Sequence, residues 1–155
     1  MCDFLLRETR SSCNHLGAQR PLCDRRAPFL GRADGILPPN FTSRAYFGLN
    51  NVVDGSTSSL RYYEVTNAQH LDSFNQFAGY DSRFIPLHRY FIQAMDLMYA
   101  HLRQGAPLPP SQVVHTTPRG PGAPPITAAN VPPIAASPPA SALITFSGAQ
   151  VSIPD

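Results

Sequence analysis

The chain has 155 residues, 43% apolar and 14% charged, with 17 prolines and a net charge of +2, which is room for about one domain and one catalytic core. So small a net charge supplies no field that would hold nucleic acid or an anionic membrane, and no apolar run approaches the roughly 18 residues of a membrane span. The first ten residues include Asp3 and no apolar stretch long enough for a signal peptide, so the chain as written reads as a cytoplasmic one.

Composition shifts twice along the chain, and a short terminal stretch follows. Residues 1–28 are rich in Arg and Cys, sustain no period of 2 or 3.6, and form an irregular lead. Cys2, Cys13 and Cys23 match neither the close pairs of a zinc site nor an even-numbered disulfide framework, so even with His15 nearby they read as reduced thiols without a metal. Residues 29–105 carry the folding pattern. After Leu37-Pro38-Pro39, a cap at Asn40, Thr42 or Ser43 starts a helix with Tyr46, Leu49 or Asn50, and Val53 on one stripe, widened by Phe47 and ended by Asp54-Gly55. Leu60 to Thr66 is aromatic and β-branched, as a short strand is. A second helix is expected from Arg83 to Leu102, with Pro86 in its first turn, a stripe of Leu87, Phe91, Ala94, Met98 and Leu102, and Gly105 as its stop. Residues 106–139 contain eleven prolines and predict extended chain lying on the surface or loose in solvent. Residues 140–155 read as a small hairpin, Ala142 to Phe146 and Val151 to Ile153 around Gly148.

The order helix, strand, turn, histidine, loop, helix is that in which α/β hydrolases present an acid and a base from neighbouring strand ends. The acid candidate is Asp34 in Gly31-Arg32-Ala33-Asp34-Gly35, and the base candidate is His70 after Val65-Thr66-Asn67-Ala68-Gln69. A neutral imidazole can take the proton of an attacking hydroxyl while a carboxylate on its other nitrogen fixes the tautomer and stabilises the imidazolium. The bland reading of Asp34 is a turn former whose side chain bonds nearby amides. Asp72 and Asp81 are rival acids on the loop that carries His70, and Asp96 reads as a solvated helix residue. His88 and His101 fall within the second helix, and His115 in the proline-rich segment. Met95, Met98, Tyr90, Phe91 and Tyr99 read as core and core edge, not as a cofactor box.

No G-x-S-x-G elbow occurs, and neither Ser56 nor Ser147 has the strand-turn-helix context of a nucleophile. Because the triad of that fold runs Ser, Asp, His, the chain reads as the acid and base portion of an enzyme whose nucleophile is absent from it.

The blocks Gly31 to Arg44, Tyr63 to His70, Pro86 to Phe91, Gly105 to Val114, Thr116 to Gly120 and Ala142 to Asp155 resemble the carboxyl-terminal part of bacterial D-3-hydroxybutyrate-oligomer hydrolases, over about residues 29–155. The resemblance implies a carboxyl-terminal fragment of an α/β-hydrolase-like fold, with Asp34 as orienting acid, His70 as general base, and no metal or organic cofactor. It implies small ester oligomers as substrates and an extracellular site of action, with no nucleic-acid or membrane partner. The family's strand ends in His-Gly before Arg-Ala-Asp, whereas here Pro28 shortens it. The first 28 residues resemble nothing in the family, which implies a misplaced start, a frameshift or a truncated gene. The alternative is a non-catalytic interaction module bound through its proline-rich segment, or a piece that complements a separate amino-terminal hydrolase part.

Overall fold

The computed structural model describes residues 29–155. The expectations for Cys2, Cys13, Cys23 and His15 lie outside the described residues. Three short strands, β1 (Phe29–Gly31), β2 (Tyr63–Val65) and β3 (Gln112–Val114), form a parallel sheet in the order β1-β2-β3. Helix α1 (Ser43–Asp54) joins β1 to β2, and α2 (His88–Gln104) lies between β2 and β3. An antiparallel pair, β4 (Thr145–Ser147) and β5 (Gln150–Ser152), completes the described elements. The α/β class expected from the sequence is thus present.

Parallel strands are covered on both faces, and all three residues of β2 are buried, Tyr63 and Val65 on one face and Glu64 on the other. Tyr63 and Val65 face a layer built from Ile85, Leu87, Tyr90 and Ala94 together with Val131 and Ile134 of the proline-rich segment. Tyr62 and Val113 face the other layer, where Phe47 of α1, Leu60 and Ile144 meet Phe146 and Val151 of the hairpin. The Phe47 ring lies 5.5 Å from Tyr62 and 4.8 Å from Phe146, centre to centre. The two helices therefore cover opposite faces although both crossovers step in the same direction along the sheet. Such a pair of crossovers has opposite hands, so one of them departs from the usual right-handed form.

Helix α1 has the expected span, ending at Gly55 with φ +52°. Its buried side is centred on Phe47, however, while Tyr46 and Val53 of the expected stripe point outward. Phe47 supplies the ring that Tyr62 and Phe146 pack against, and Arg44, on the same side one turn earlier, is bound to Glu64 of β2.

Helix α2 starts at His88, not Arg83, because the backbone before it is already committed. The Ile85 N–H bonds the Asn67 carbonyl at 2.8 Å, and Ile85 bridges Ala68 beside the sheet. The amides of Leu87 and His88 then find the Asp72 carboxylate at 2.6 and 3.1 Å, satisfying donors that a helix start leaves free. The inward stripe is Leu87, Tyr90, Ala94 and Leu97, with Phe91 and Leu102 exposed. Tyr90 sits beside Phe91 and Leu97 beside Met98, so periodicity alone leaves the phase open. Polar contacts fix it: Tyr90 donates to the Pro132 carbonyl at 2.8 Å, and Gln93 both accepts from the Ile134 amide at 2.9 Å and donates to its carbonyl.

The proline-rich segment 106–139 is extended as expected, but part of it is interior. Gln112, Val113 and Val114 are buried and pair with β2, and Gln112 holds both the amide and the carbonyl of Ala135 at 2.9 Å. Prolines 109, 110 and 118 flank this strand without interrupting it, so every ladder amide is available. The hairpin is narrower than expected and turns at Gly148, whose φ of +58° suits a residue without Cβ.

Candidate active site

Asp34 follows β1 by three residues and His70 follows β2 by five, so both lie beyond the same ends of adjacent parallel strands, where open α/β sheets build their sites. The two loops are sewn together before either side chain is placed. Arg32 N–H bonds the Val65 carbonyl at 2.7 Å and Ala33 N–H bonds that of Ala68 at 3.1 Å. Asn67 takes the left-handed φ of +54° that turns the chain after β2, and its side-chain amide donates to the Thr116 carbonyl at 2.9 Å. Thr116, in turn, donates its amide to the Thr66 hydroxyl at 2.8 Å, tying the segment after β3 to the same turn.

Asp34 is 4% exposed and uses both oxygens. Oδ1 accepts from the amides of Ile36 and Leu37 at 2.9 and 2.8 Å, and Oδ2 lies 2.7 Å from His70 Nδ1. Oδ1 therefore makes the backbone bonds of a turn former, while Oδ2 is paired with His70. A carboxylate only accepts, so Nδ1–H of His70 is the donor, the tautomer in which Nε2 is the other ring nitrogen free to take a proton. The His70 side chain is 28% exposed.

The other candidates have different occupations. Asp72 caps α2, and His101 Nδ1 bonds the Ala106 carbonyl at 2.7 Å. His88 and His115 are exposed, as is Asp96 on the outer side of α2; Asp81 lies in the turn before Ile85. Ser56 sits in the turn Gly55–Thr57, at the far end of α1 from the Asp34 loop. Ser147 lies in a hairpin that packs against Gly48 and Asn51 of α1. Among the described residues no group of three His, Cys, Asp or Glu side chains is placed to hold a metal ion, and no helix is long and apolar enough to cross a membrane.

Sequence reasoning did not find a buried charge cluster behind the Asp34 loop. Glu64, in the middle of β2 and 0% exposed, accepts from Arg44 Nε and Nη2 at 2.8 and 2.5 Å, from the Tyr62 hydroxyl at 2.8 Å, and from Arg32 Nε. Burial pushes its carboxyl upward, but hydrogen bonds from Arg44, Tyr62 and Arg32 outweigh that and hold it below its ordinary value. Burial raises the Tyr62 hydroxyl well above the usual tyrosine range, so it remains a donor. No local signal marks this cluster, because its two arginines lie 20 and 32 residues from Glu64 in sequence.

The sequence model of a family described as 3HB-oligomer hydrolase matches residues 20–155. A D-(-)-3-hydroxybutyrate oligomer hydrolase of Paraburkholderia xenovorans (strain LB400) is 56% identical over 128 residues, which cover 81% of this chain and 18% of that protein. A protein of the same name from Polaromonas naphthalenivorans (strain CJ2) is 58% identical over the same shares. One from Azoarcus sp. (strain BH72) is 53% identical over 156 residues, 96% of this chain and 22% of its own length. The last match and the family match both reach into the first 28 residues, which the sequence reading placed outside the resemblance. The chain spans 18–22% of the length of these relatives. No solved structure matches it.

Proposed function

The chain belongs to the 3HB-oligomer hydrolase family, and on that premise we propose that it supplies the acid and base of a serine esterase that cleaves 3-hydroxybutyrate oligomers. The observation that carries this reading is the 2.7 Å bond between His70 Nδ1 and a buried Asp34 at the ends of neighbouring parallel strands. In the proposed reaction, His70 Nε2 takes the proton of a serine hydroxyl as its oxygen attacks the ester carbonyl. Asp34 stabilises the imidazolium so formed, without itself taking the proton. His70 then protonates the departing alkoxide oxygen, so that the first product leaves as an alcohol and the acyl group stays on the serine; water, deprotonated by the same nitrogen, attacks that acyl group and releases the second product as the serine oxygen recovers its proton.

The serine and the oxyanion donors belong, in this reading, to the remaining length that the relatives have, and the sheet is the end of an α/β-hydrolase sheet. The exposed apolar residues of α2, among them Met95 at 55% and Tyr99 at 64%, are then faces that the remainder covers. We place the whole protein's action outside the cell. The rival reading, a proline-rich ligand for a partner, sits poorly with a segment whose Gln112, Val131 and Ile134 are buried in its own core.

The test is a hybrid enzyme in which this chain replaces the matching segment of the Polaromonas naphthalenivorans relative. Hydrolysis of 3-hydroxybutyrate dimer that disappears in His70→Ala supports the reading. A hybrid as active with His70→Ala as without it overturns the assignment of the base.

A further inference from the structure

We propose that Glu64 is a positioning residue for Asp34, clamping both ends of the loop that carries the acid through Arg32 and Arg44. The inference rests on the acid and base reading of Asp34 and His70 given above.

Arg32 stands two residues before Asp34, at the start of the loop, and Arg44 lies in the first turn of α1, where the loop ends. Glu64 Oε1 accepts from both guanidinium groups, and Oε2 from Arg44 and Tyr62. The remaining donors extend the grip. Arg44 Nη1 bonds Asn40 Oδ1 within the loop at 2.8 Å, Arg32 Nη2 bonds the Pro154 carbonyl at 2.6 Å, and the Tyr62 hydroxyl lies 3.0 Å from that of Ser43 at the first residue of α1. One carboxylate thus holds the strand end, the loop and the helix start in a single arrangement.

Stability alone does not account for it. A buried ion cluster is commonly matched or bettered by apolar residues of the same volume, and a leucine or valine at this position would suit a central parallel strand. What an apolar side chain cannot do is hold two guanidinium groups at fixed places on either side of Asp34. A hydrogen bond of 2.7 Å between Asp34 and His70 needs that precision, because displacing a catalytic group by about 1 Å can cost roughly a hundredfold in rate.

The experiment has two readouts. In the 155-residue chain, proton NMR detects the far-downfield Nδ1–H of His70 bonded to Asp34, with Asp34→Asn as the reference for its loss. In the hybrid enzyme, kcat and KM are measured on 3-hydroxybutyrate dimer. Arg32→Ala leaves Arg44 and Tyr62 on Glu64 and so serves where Glu64→Gln does not fold. We expect Arg32→Ala to broaden or remove the resonance and to lower kcat by on the order of tenfold to a hundredfold with KM changed less than about twofold, and Arg32→Lys to recover part of both. An unchanged resonance and kcat in Arg32→Ala overturns the proposal, as does a loss that Arg32→Lys does not relieve at all. A resonance lost in Arg32→Ala, in a hybrid indifferent to His70→Ala, keeps the clamp and removes the catalytic reading of the pair it holds.

Discussion

Gly31 lies directly against the carbonyl of Ala68: a Cβ at residue 31 would stand 2.3 Å from that oxygen and 3.0 Å from the carbonyl oxygen of Gln69. Both contacts are backbone, which cannot swing aside as a side chain can. Gly31→Ala is therefore expected to push apart the two loops that meet at Asp34 and His70. The downfield His70 proton should be lost, and the hybrid enzyme should fall in kcat while the far-ultraviolet circular dichroism of the chain changes little. A retained resonance in Gly31→Ala would show that the loops give way without separating the pair.

Replacing either member of the pair separates their roles. His70→Ala removes the proposed proton acceptor and should leave the hybrid without measurable turnover. Asp34→Asn keeps the shape but allows the amide to present N–H to Nδ1, favouring the wrong tautomer, and should lower kcat by roughly four orders of magnitude. A drop of less than tenfold in Asp34→Asn would assign the acid elsewhere.

Asp72 is the nearest rival acid in sequence, and its carboxylate is engaged with the first amides of α2. Asp72→Ala should cost about 1 to 2 kcal/mol of stability, read as a lowered urea midpoint, through loss of a helix cap. The His70 resonance should persist. Its disappearance would place Asp72 in the acid's role.

The pH dependence of folding should carry the signature of Glu64. Its carboxyl is held below the ordinary 4.5 in the folded chain, so the stability it contributes is complete above that value and is lost as pH falls through the depressed one. Glu64→Gln should therefore be less stable than the parent at neutral pH, with the gap closing in acid. Urea midpoints for both chains across the acid range check this, and a gap independent of pH would contradict it.

The outer face of α2 offers a test of what covers it. Ile92 and Met95 are half exposed or more and make no part of either core layer. Ile92→Lys with Met95→Lys should leave the isolated chain folded and less prone to associate, yet lower the yield of active hybrid. A hybrid that tolerates both lysines would show that the face remains in water in the whole enzyme.

The pairing of Asp34 with His70 was legible in the sequence because chemistry and topology constrain them together: an Asp and a His, each just past a strand, separated by one helix. Helix α1 was legible by its turn, its cap position and Gly55. The phase of α2 was not, since it carries apolar residues on most sides and its orientation is chosen by Tyr90 and Gln93 reaching the backbone of Pro132 and Ile134. Strand β3 was hidden by the prolines around it, whose effect stops at the residues they occupy. Glu64 reads in the sequence as one charge in an aromatic strand, and only the fold brings Arg32 and Arg44 to it.

The parallel sheet also determines when the molecule can form. Residue 29 pairs with residue 63, and residue 63 with residue 112, so no strand of this sheet has its partner close in sequence. A chain emerging from the ribosome can wind α1 and α2 early, but β2 waits for β3 until Val114 is free of the tunnel. Until then Tyr63 and Val65 lack the wall that buries them. Sheets closed by such distant pairings fold slowly and expose sticky surface while they do so, which makes synthesis, more than storage, the dangerous interval for this chain.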